Sequence, residues 1–83
     1  MQQNISDFHD ACRAVLSASK HTRALNWAVG YASAGLSLKD GEAIRVQCLY
    51  ILNNITHWRG PIASVARGHF KRLSLPKVWK ETV

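Results

Sequence analysis

The sequence predicts a small all-α protein, a compact bundle of about four helices in a single domain that spans residues 1–83. Three observations favour this fold class. Apolar residues recur every three or four positions in several segments, which is the period of an amphipathic helix. The junction at Gly60 and Pro61 combines a residue that ends helices with one that begins them. Finally, 47% hydrophobic residues and only two prolines are typical of a globular domain.

The first two helices are predicted over residues 5–19 and 22–34. The apolar stripe of the first helix consists of Ile5, Phe8, Cys12, Val15 and Leu16. In the second helix, which ends at Gly35, every fourth residue of one line is an alanine: Ala24, Ala28 and Ala32. This ridge of small side chains lets another helix approach closely. The approaching helix belongs either to the same chain, which is the default, or to a second copy in a homodimer.

The third helix is predicted over residues 41–57, and it is expected to be central because it is apolar on several sides. Its apolar residues are Ile44, Val46, Cys48, Leu49, Tyr50, Ile51 and Ile55. The fourth helix is predicted over residues 61–73. Its apolar side is expected to consist of Ile62, Val65, Ala66, Phe70 and Leu73. Residues 74–83 form a C-terminal tail, in which Val78 and Trp79 either fold back as an anchor or stay free for a partner.

Basic residues outnumber acidic ones by eleven to five, which gives a formal net charge of +6. The excess lies in the C-terminal third, where Glu81 is the one acidic residue after Arg59. Such a charge favours nucleic acid, an acidic protein face or an anionic membrane surface as partner, although solubility alone also explains it. The sequence shows neither a membrane span nor a signal peptide pattern. We therefore expect a cytoplasmic protein of a bacterial-type cell, without membrane contact.

Patterns that carry catalysis are weak in this sequence. There is no glycine-rich phosphate loop, nucleophile elbow or pair of carboxylates in a plausible pocket. His9, Asp10 and Cys12 are close together, but a helix that bears a histidine shows such spacing by chance. His9, Cys12 and Cys48 could converge, yet zinc usually needs four ligands in close pairs. We expect a non-enzymatic protein with no catalytic residue, no cofactor and no metal site.

The candidate partner-binding residues are Trp58, Arg59, Arg67, Lys71, Arg72 and Trp79. Trp58 and Arg59 lie at a helix junction, and Trp and Arg are the residue types that dominate binding energy in interfaces. Trp58 fits the end of the core equally well. The same question, core or interface, applies to Trp27 with Tyr31 and to Trp79.

The third and fourth helices also fit a helix-turn-helix. In that interpretation the helix that starts at Pro61 enters a DNA groove, and Arg67, Lys71 and Arg72 contact phosphates or base edges. Gly68 argues against it, because a glycine weakens the helix that would have to read the DNA. The same basic residues are also typical of the outer face of many helical hairpins.

Two runs of residues carry a resemblance: ALNWAVGYASAGL (24–36) and RVQCLYILNNITHWRG (45–60). Together they resemble short helical accessory proteins of bacteriophages and other mobile elements, in general pattern and over about the middle half of the chain. The resemblance transfers no functional residue. It implies a context in which many small proteins block or redirect a host machine, including defence systems such as CRISPR complexes, and others regulate transcription.

We therefore expect a phage-type inhibitor or adaptor that binds a host protein or nucleoprotein complex. The alternative is a small basic DNA- or RNA-binding regulator that uses its helix-turn-helix-like C-terminal half. A homodimer through Ala24, Ala28 and Ala32 is compatible with either role.

Overall fold

The computed structural model describes residues 2–80, which form four α-helices and two short 3₁₀ turns. The helices are α1 (Gln2–Ala18), α2 (Val29–Gly35), α3 (Gly41–Asn53) and α4 (Pro61–Leu73), and the 3₁₀ turns are Arg23–Leu25 and Pro76–Trp79. No strand occurs in this part of the chain, so the predicted all-α bundle is confirmed. The bounds of α4 are those predicted from the sequence.

Helices α1 and α4 pack antiparallel, because the C-terminal part of α4 meets the N-terminal part of α1. Here the Arg72 guanidinium lies 2.9 Å from Asp7 Oδ2, and the buried rings of Phe8 and Phe70 meet edge to face with their centroids 6.2 Å apart.

Helix α3 packs against α4, and α2 lies on α1 and also contacts α3. The core draws on all four helices and the segments between them, with Phe8, Cys12, Val15, Leu25, Ala32, Ile44, Cys48, Ile51, Ile55, Phe70 and Leu73 fully buried.

The second helix differs from the prediction, because residues 22–34 do not form one continuous helix. The Thr22 hydroxyl accepts a hydrogen bond from Ala24 N and begins a 3₁₀ turn, so that α2 starts only at Val29. A 3₁₀ turn repeats every three residues, and this spacing directs both Leu25 and Ala28 into the core. The chain then continues as α-helix, which buries Ala32 one turn further along.

The alanine ridge is therefore covered by the chain itself. Ala28 and Ala32 are fully buried in the core, and Ala24 is half-buried. The default interpretation, internal packing, describes these two alanines correctly. A homodimer joined through Ala24, Ala28 and Ala32 does not fit this fold, because two of the three side chains already contact other helices of the same chain.

Helix α3 ends at Asn53, earlier than the predicted residue 57. The side-chain amide of Asn54 donates to Tyr50 O at 2.8 Å and so binds the end of the helix. The chain then turns to bury Ile55 and Trp58, and Trp58 N donates to Ile55 O at 3.1 Å. Gly60 has a φ of 111°, which favours glycine, and it leads directly into Pro61 at the start of α4.

The C-terminal tail folds back onto the bundle as far as residue 80, so the anchor alternative is correct for Trp79. Its indole Nε1 donates to Leu73 O at 2.8 Å. Its ring lies against Gly41 at the start of α3, where an added Cβ would approach the ring within 2.8 Å. The last part of the predicted tail, residues 81–83, lies outside the described residues.

The buried face of α4 consists of Ala63, Ala66, Phe70 and Leu73. Ile62 and Val65, which the sequence pattern placed on the core side, are each 64% exposed. The small side chains of Ala63 and Ala66 let neighbouring helices approach α4 closely. This close packing turns the bulkier Ile62 and Val65 outward, so the prediction for these two residues is wrong.

Two glycines of α2 provide a matched test of the packing between α2 and α1. A Cβ at Gly35 would lie 2.9 Å from both Cys12 Sγ and Phe8 Cζ, whereas a Cβ at Gly30 would have nothing within 4 Å. We expect Gly35→Ala to lower the free energy of unfolding by about 1–3 kcal/mol through overpacking. Gly30→Ala should raise it by about 0.5–1 kcal/mol, because alanine favours helix. Urea denaturation followed by circular dichroism measures the free energy of unfolding of both variants. If Gly35→Ala were as stable as Gly30→Ala, the close packing of Gly35 against α1 would be contradicted.

Candidate binding surfaces

Two of the predicted binding residues hold the connection between α3 and α4 together. Trp58 is only 6% exposed, and this burial favours the core interpretation over the interface interpretation. Arg67 donates from Nη2 to Ile55 O at 2.8 Å and to Trp58 O at 2.7 Å. The guanidinium thereby satisfies backbone carbonyls that no helix satisfies. Arg67 and Trp58 are thus used to close this connection.

Arg72 links α4 to α1. It donates to Asn4 Oδ1 and to Asp7 Oδ2, both at 2.9 Å, and its side chain is 40% exposed. Arg59 is exposed and donates to Thr56 O and Trp58 O. Lys71 is exposed and forms no ion pair within residues 2–80. The predicted basic face of α4 is therefore mostly engaged in bonds within the chain.

The geometry does not favour the helix-turn-helix interpretation. Residues 54–60 separate α3 from α4 and carry the buried Ile55 and Trp58, whereas the turn of that motif has about three or four residues. A recognition helix reads bases with side chains near its N-terminus. The exposed residues there are Pro61, Ile62, Ser64 and Val65, which offer one hydroxyl and three apolar side chains.

An apolar groove lies between α1 and α4. Its volume is about 320 Å³, and it is lined by Asp10, Ala11, Ala14, Pro61, Ile62, Val65, Ala66 and His69. The exposed side chains of Ile62 and Val65 form its most prominent apolar surface. Apart from Asp10, which pairs with Arg13 at 2.9 Å, no described lining residue carries a carboxylate. We call this feature the α1–α4 groove.

A second cavity, of about 530 Å³, continues the α1–α4 groove toward the C-terminal end of α1. The two share Ala14 and Ile62. The polar part of its lining consists of Ser17, His21, Thr22, His57 and Arg59. His21, His57 and Arg59 are exposed, and no carboxylate is among the described residues that line this cavity. We call it the basic pocket, because its ionisable groups are all cationic when charged.

A third surface is aromatic. Trp27 is 81% exposed, and the rings of Tyr31 and Tyr50 stack with their centroids 5.4 Å apart and their planes inclined by 25°. These tyrosines are 40% and 47% exposed. Gln47 holds the two helices in this register by donating to Tyr31 O at 2.8 Å. Sequence reasoning noted Trp27 and Tyr31 but assigned Tyr50 to the core. We call these three residues the aromatic surface.

The residues that were weighed for catalysis or metal binding are not assembled into such a site. Burial raises the pKa of Cys12 to about 12 and that of Cys48 likewise to about 12, so both thiols are protonated at neutral pH. A protonated, buried thiol is a poor nucleophile. His9 Nε2 is hydrogen-bonded to Leu38 O at 2.8 Å. Within residues 2–80, no three His, Cys, Asp or Glu side chains are grouped so that they could hold a metal ion.

Comparisons with protein-family models, with curated proteins and with solved structures found no match for this chain. Over residues 2–80, no helix combines the length and the apolar character that are needed to cross a membrane. The function is therefore inferred from the geometry and charge of these surfaces.

Arg67 and Lys71 are both basic residues of α4, but Arg67 donates to backbone carbonyls whereas Lys71 forms no ion pair within residues 2–80. Substituting each of them therefore tests whether Arg67 has a structural role. We expect Arg67→Ala to lower the free energy of unfolding by about 1–3 kcal/mol, because two carbonyls lose a charged donor. Lys71→Ala should change it by less than about 0.5 kcal/mol, as exposed substitutions usually do. Chemical denaturation of both variants checks this. An Arg67→Ala variant as stable as the unmodified protein would mean that the guanidinium does not hold this connection.

The two thiols give a prediction on reactivity and on pH. In the folded protein, Cys12 and Cys48 should resist alkylation at mildly alkaline pH and react only when urea unfolds the chain. An unfolded thiol loses its proton near pH 9, whereas the folded thiols keep theirs up to about pH 12. Their contribution to stability is therefore present below about pH 9 and lost between about pH 9 and 12. Mass spectrometry of alkylated protein measures the reactivity, and rapid labelling of the native protein would contradict this burial.

Proposed function

We propose that this chain is a non-enzymatic binding protein, a phage-type inhibitor or adaptor, whose α1–α4 groove receives an amphipathic acidic helix of a host protein or nucleoprotein complex. The observation that carries the proposal is the exposure of Ile62 and Val65, at 64% each, beside a groove lined by alanines. Two bulky apolar side chains held in this way are available for a partner to cover.

The apolar part of the site supports binding of a helix. Helix-in-groove recognition uses apolar anchors spaced by three or four residues, which fit a groove between two packed helices. Ile62 and Val65 are themselves three residues apart on α4, and Ala11 and Ala14 face the groove from α1 with the same spacing. Burying the exposed part of Ile62 and Val65 would contribute about 1–2 kcal/mol for each side chain.

The charged part of the site supports an acidic partner. The basic pocket continues the groove with His21, His57 and Arg59, and no described carboxylate lines it. A helix in the groove would place the side chains of one of its ends against these groups. Carboxylates at that end would find complementary charge, and the net charge of +6 would speed the approach of an acidic partner. The same charge would repel basic partners and so add selectivity.

The alternative, a DNA- or RNA-binding regulator that reads duplex DNA with α4, has less support. Two of its three proposed contact residues, Arg67 and Arg72, are already bonded to groups of the same chain. Releasing them to contact phosphates would break those bonds, which adds a cost to binding.

Selection from a displayed library of helical peptides tests the proposal, and it does not require the natural partner to be identified first. Selected against the unmodified protein at physiological salt, the enriched peptides should carry apolar residues at helical spacing and carboxylates toward one end. Their affinity for an Ile62→Ser/Val65→Ser double variant should fall at least about tenfold, since two anchors are lost. Arg59→Glu should weaken binding mainly through slower association.

Leu75→Ser is the matched control, because Leu75 is an exposed apolar residue (46%) outside the α1–α4 groove. It should leave peptide affinity unchanged. If no peptide is enriched, or if the enriched peptides bind the double variant as tightly as the unmodified protein, the groove is not a docking site for a helix.

A further inference from the structure

Trp27 of the aromatic surface lies in a backbone-bonded segment, the connection between α1 and α2, which also carries uncompensated positive charge. Trp27 is carried by a series of backbone-bonded turns, in which Asn26 N donates to Arg23 O at 3.1 Å and Ala28 N donates to Leu25 O at 2.9 Å. Leu25 and Ala28, on either side of the tryptophan, are fully buried and fix the backbone of this segment. Trp27 is therefore presented to solvent by a fixed backbone, without being packed into the core.

The positive charge comes from Lys20 and Arg23, both exposed and both in the segment that links α1 to α2 and carries Trp27. Neither forms an ion pair within residues 2–80. The four carboxylates described are bonded elsewhere: Asp7 to Arg72, Asp10 to Arg13, Glu42 to Arg45 and Asp40 to Ala43 N. An anionic ligand on the aromatic surface would therefore meet cations that are not already paired.

The tyrosines extend this surface. Tyr31 lies in α2, four residues after Trp27 in the sequence, and its ring stacks on that of Tyr50 from α3. The stacked rings remain 40% and 47% exposed, so part of each ring is open to solvent. Asn26 and Asn53 are exposed in the segments that carry Trp27 and Tyr50, and each offers amide donors and acceptors.

We infer that the aromatic surface, formed by Trp27, Tyr31 and Tyr50 and flanked by Lys20 and Arg23, binds single-stranded nucleic acid. Exposed rings next to unpaired cations are the two features with which proteins hold single strands: bases stack on the rings, and the cations follow the phosphates. A neutral protein partner would need the rings but not the cations. Duplex nucleic acid would need the cations but not the rings, because its bases are stacked on one another.

This inference goes beyond the proposed function, since it concerns a different surface from the α1–α4 groove. The lining of the groove and of the basic pocket includes none of Trp27, Tyr31 or Tyr50. A protein that bound a helix in the groove and a single strand on the aromatic surface could engage the protein and the nucleic acid of one nucleoprotein complex.

Fluorescence anisotropy with labelled oligothymidylate and oligouridylate, titrated at low and at physiological salt, tests the inference. We expect saturable binding that persists at physiological salt, with quenching of tryptophan fluorescence as bases cover Trp27. Trp27→Ala should raise the dissociation constant about tenfold, because a stacking contact with a base is lost. Trp27→Phe should retain most of the affinity, since its ring can still stack. The variants should fold normally, because the Trp27 side chain is largely outside the core.

Two further variants test the phosphate contacts. Lys20→Ala and Arg23→Ala should each reduce the slope of log affinity against log salt concentration by about 0.7, the value for one phosphate contact on a single strand. Val65→Ser, in the α1–α4 groove, is the matched control and should change neither affinity nor slope. A peptide selection that enriches nothing would leave this measurement unaffected, so the two proposals can fail separately.

The inference is overturned by any of three results. The first is the absence of single-strand binding at physiological salt. The second is duplex binding as tight as single-strand binding, which would mean that the rings are not used for stacking. The third is unchanged affinity in Trp27→Ala, which would place the nucleic acid elsewhere on the protein.

Discussion

The burial of the Phe8 ring is the constraint on which the rest of the packing depends. The ring meets Phe70 of α4 edge to face, and Gly35 of α2 lies so close that a Cβ there would come within 2.9 Å of Phe8 Cζ. Helices α1, α2 and α4 therefore pack together at the Phe8 side chain. Since α2 is only seven residues long and its N-cap makes no side-chain hydrogen bond, it is too short to be stable alone and depends on this packing.

The same packing leaves the positive charge of the protein unbalanced. Each carboxylate in residues 2–80 is used locally: two pair with an arginine of the same helix, one caps α3, and Asp7 joins α1 to α4. Lys20, Arg23, Lys39 and Lys71 are exposed and have no carboxylate within ion-pair distance in this range. The resulting field attracts anionic molecules over much of the surface, so charge alone does not select a binding site. Exposed apolar and aromatic side chains are needed for that.

Much of the fold could be predicted because it follows from local patterns. The Gly60–Pro61 junction fixed the start of α4, and the three- and four-residue periods identified α1 and α3. The predicted helix bounds are wrong where the helical repeat of apolar residues is interrupted. The hydroxyl of Thr22 begins a 3₁₀ turn and interrupts the second helix, and the amide of Asn54 binds the end of α3 before Ile55 and Trp58 turn inward. The spacing of apolar residues cannot anticipate these bonds, because they are made by polar side chains to the backbone two and four residues away.

The candidate surfaces were harder to predict for a related physical reason. A sequence identifies arginines, but their partners depend on the folded geometry: Arg72 bonds Asp7, sixty-five positions away, and Arg67 bonds two carbonyls of the connection that precedes α4. A surface available for binding consists of what folding leaves uncovered. Because α4 packs through Ala63 and Ala66, Ile62 and Val65 are left outside although they are the more hydrophobic residues. The exposed apolar surface is thus a direct consequence of close packing between helices, and residue type alone would have assigned it to the core.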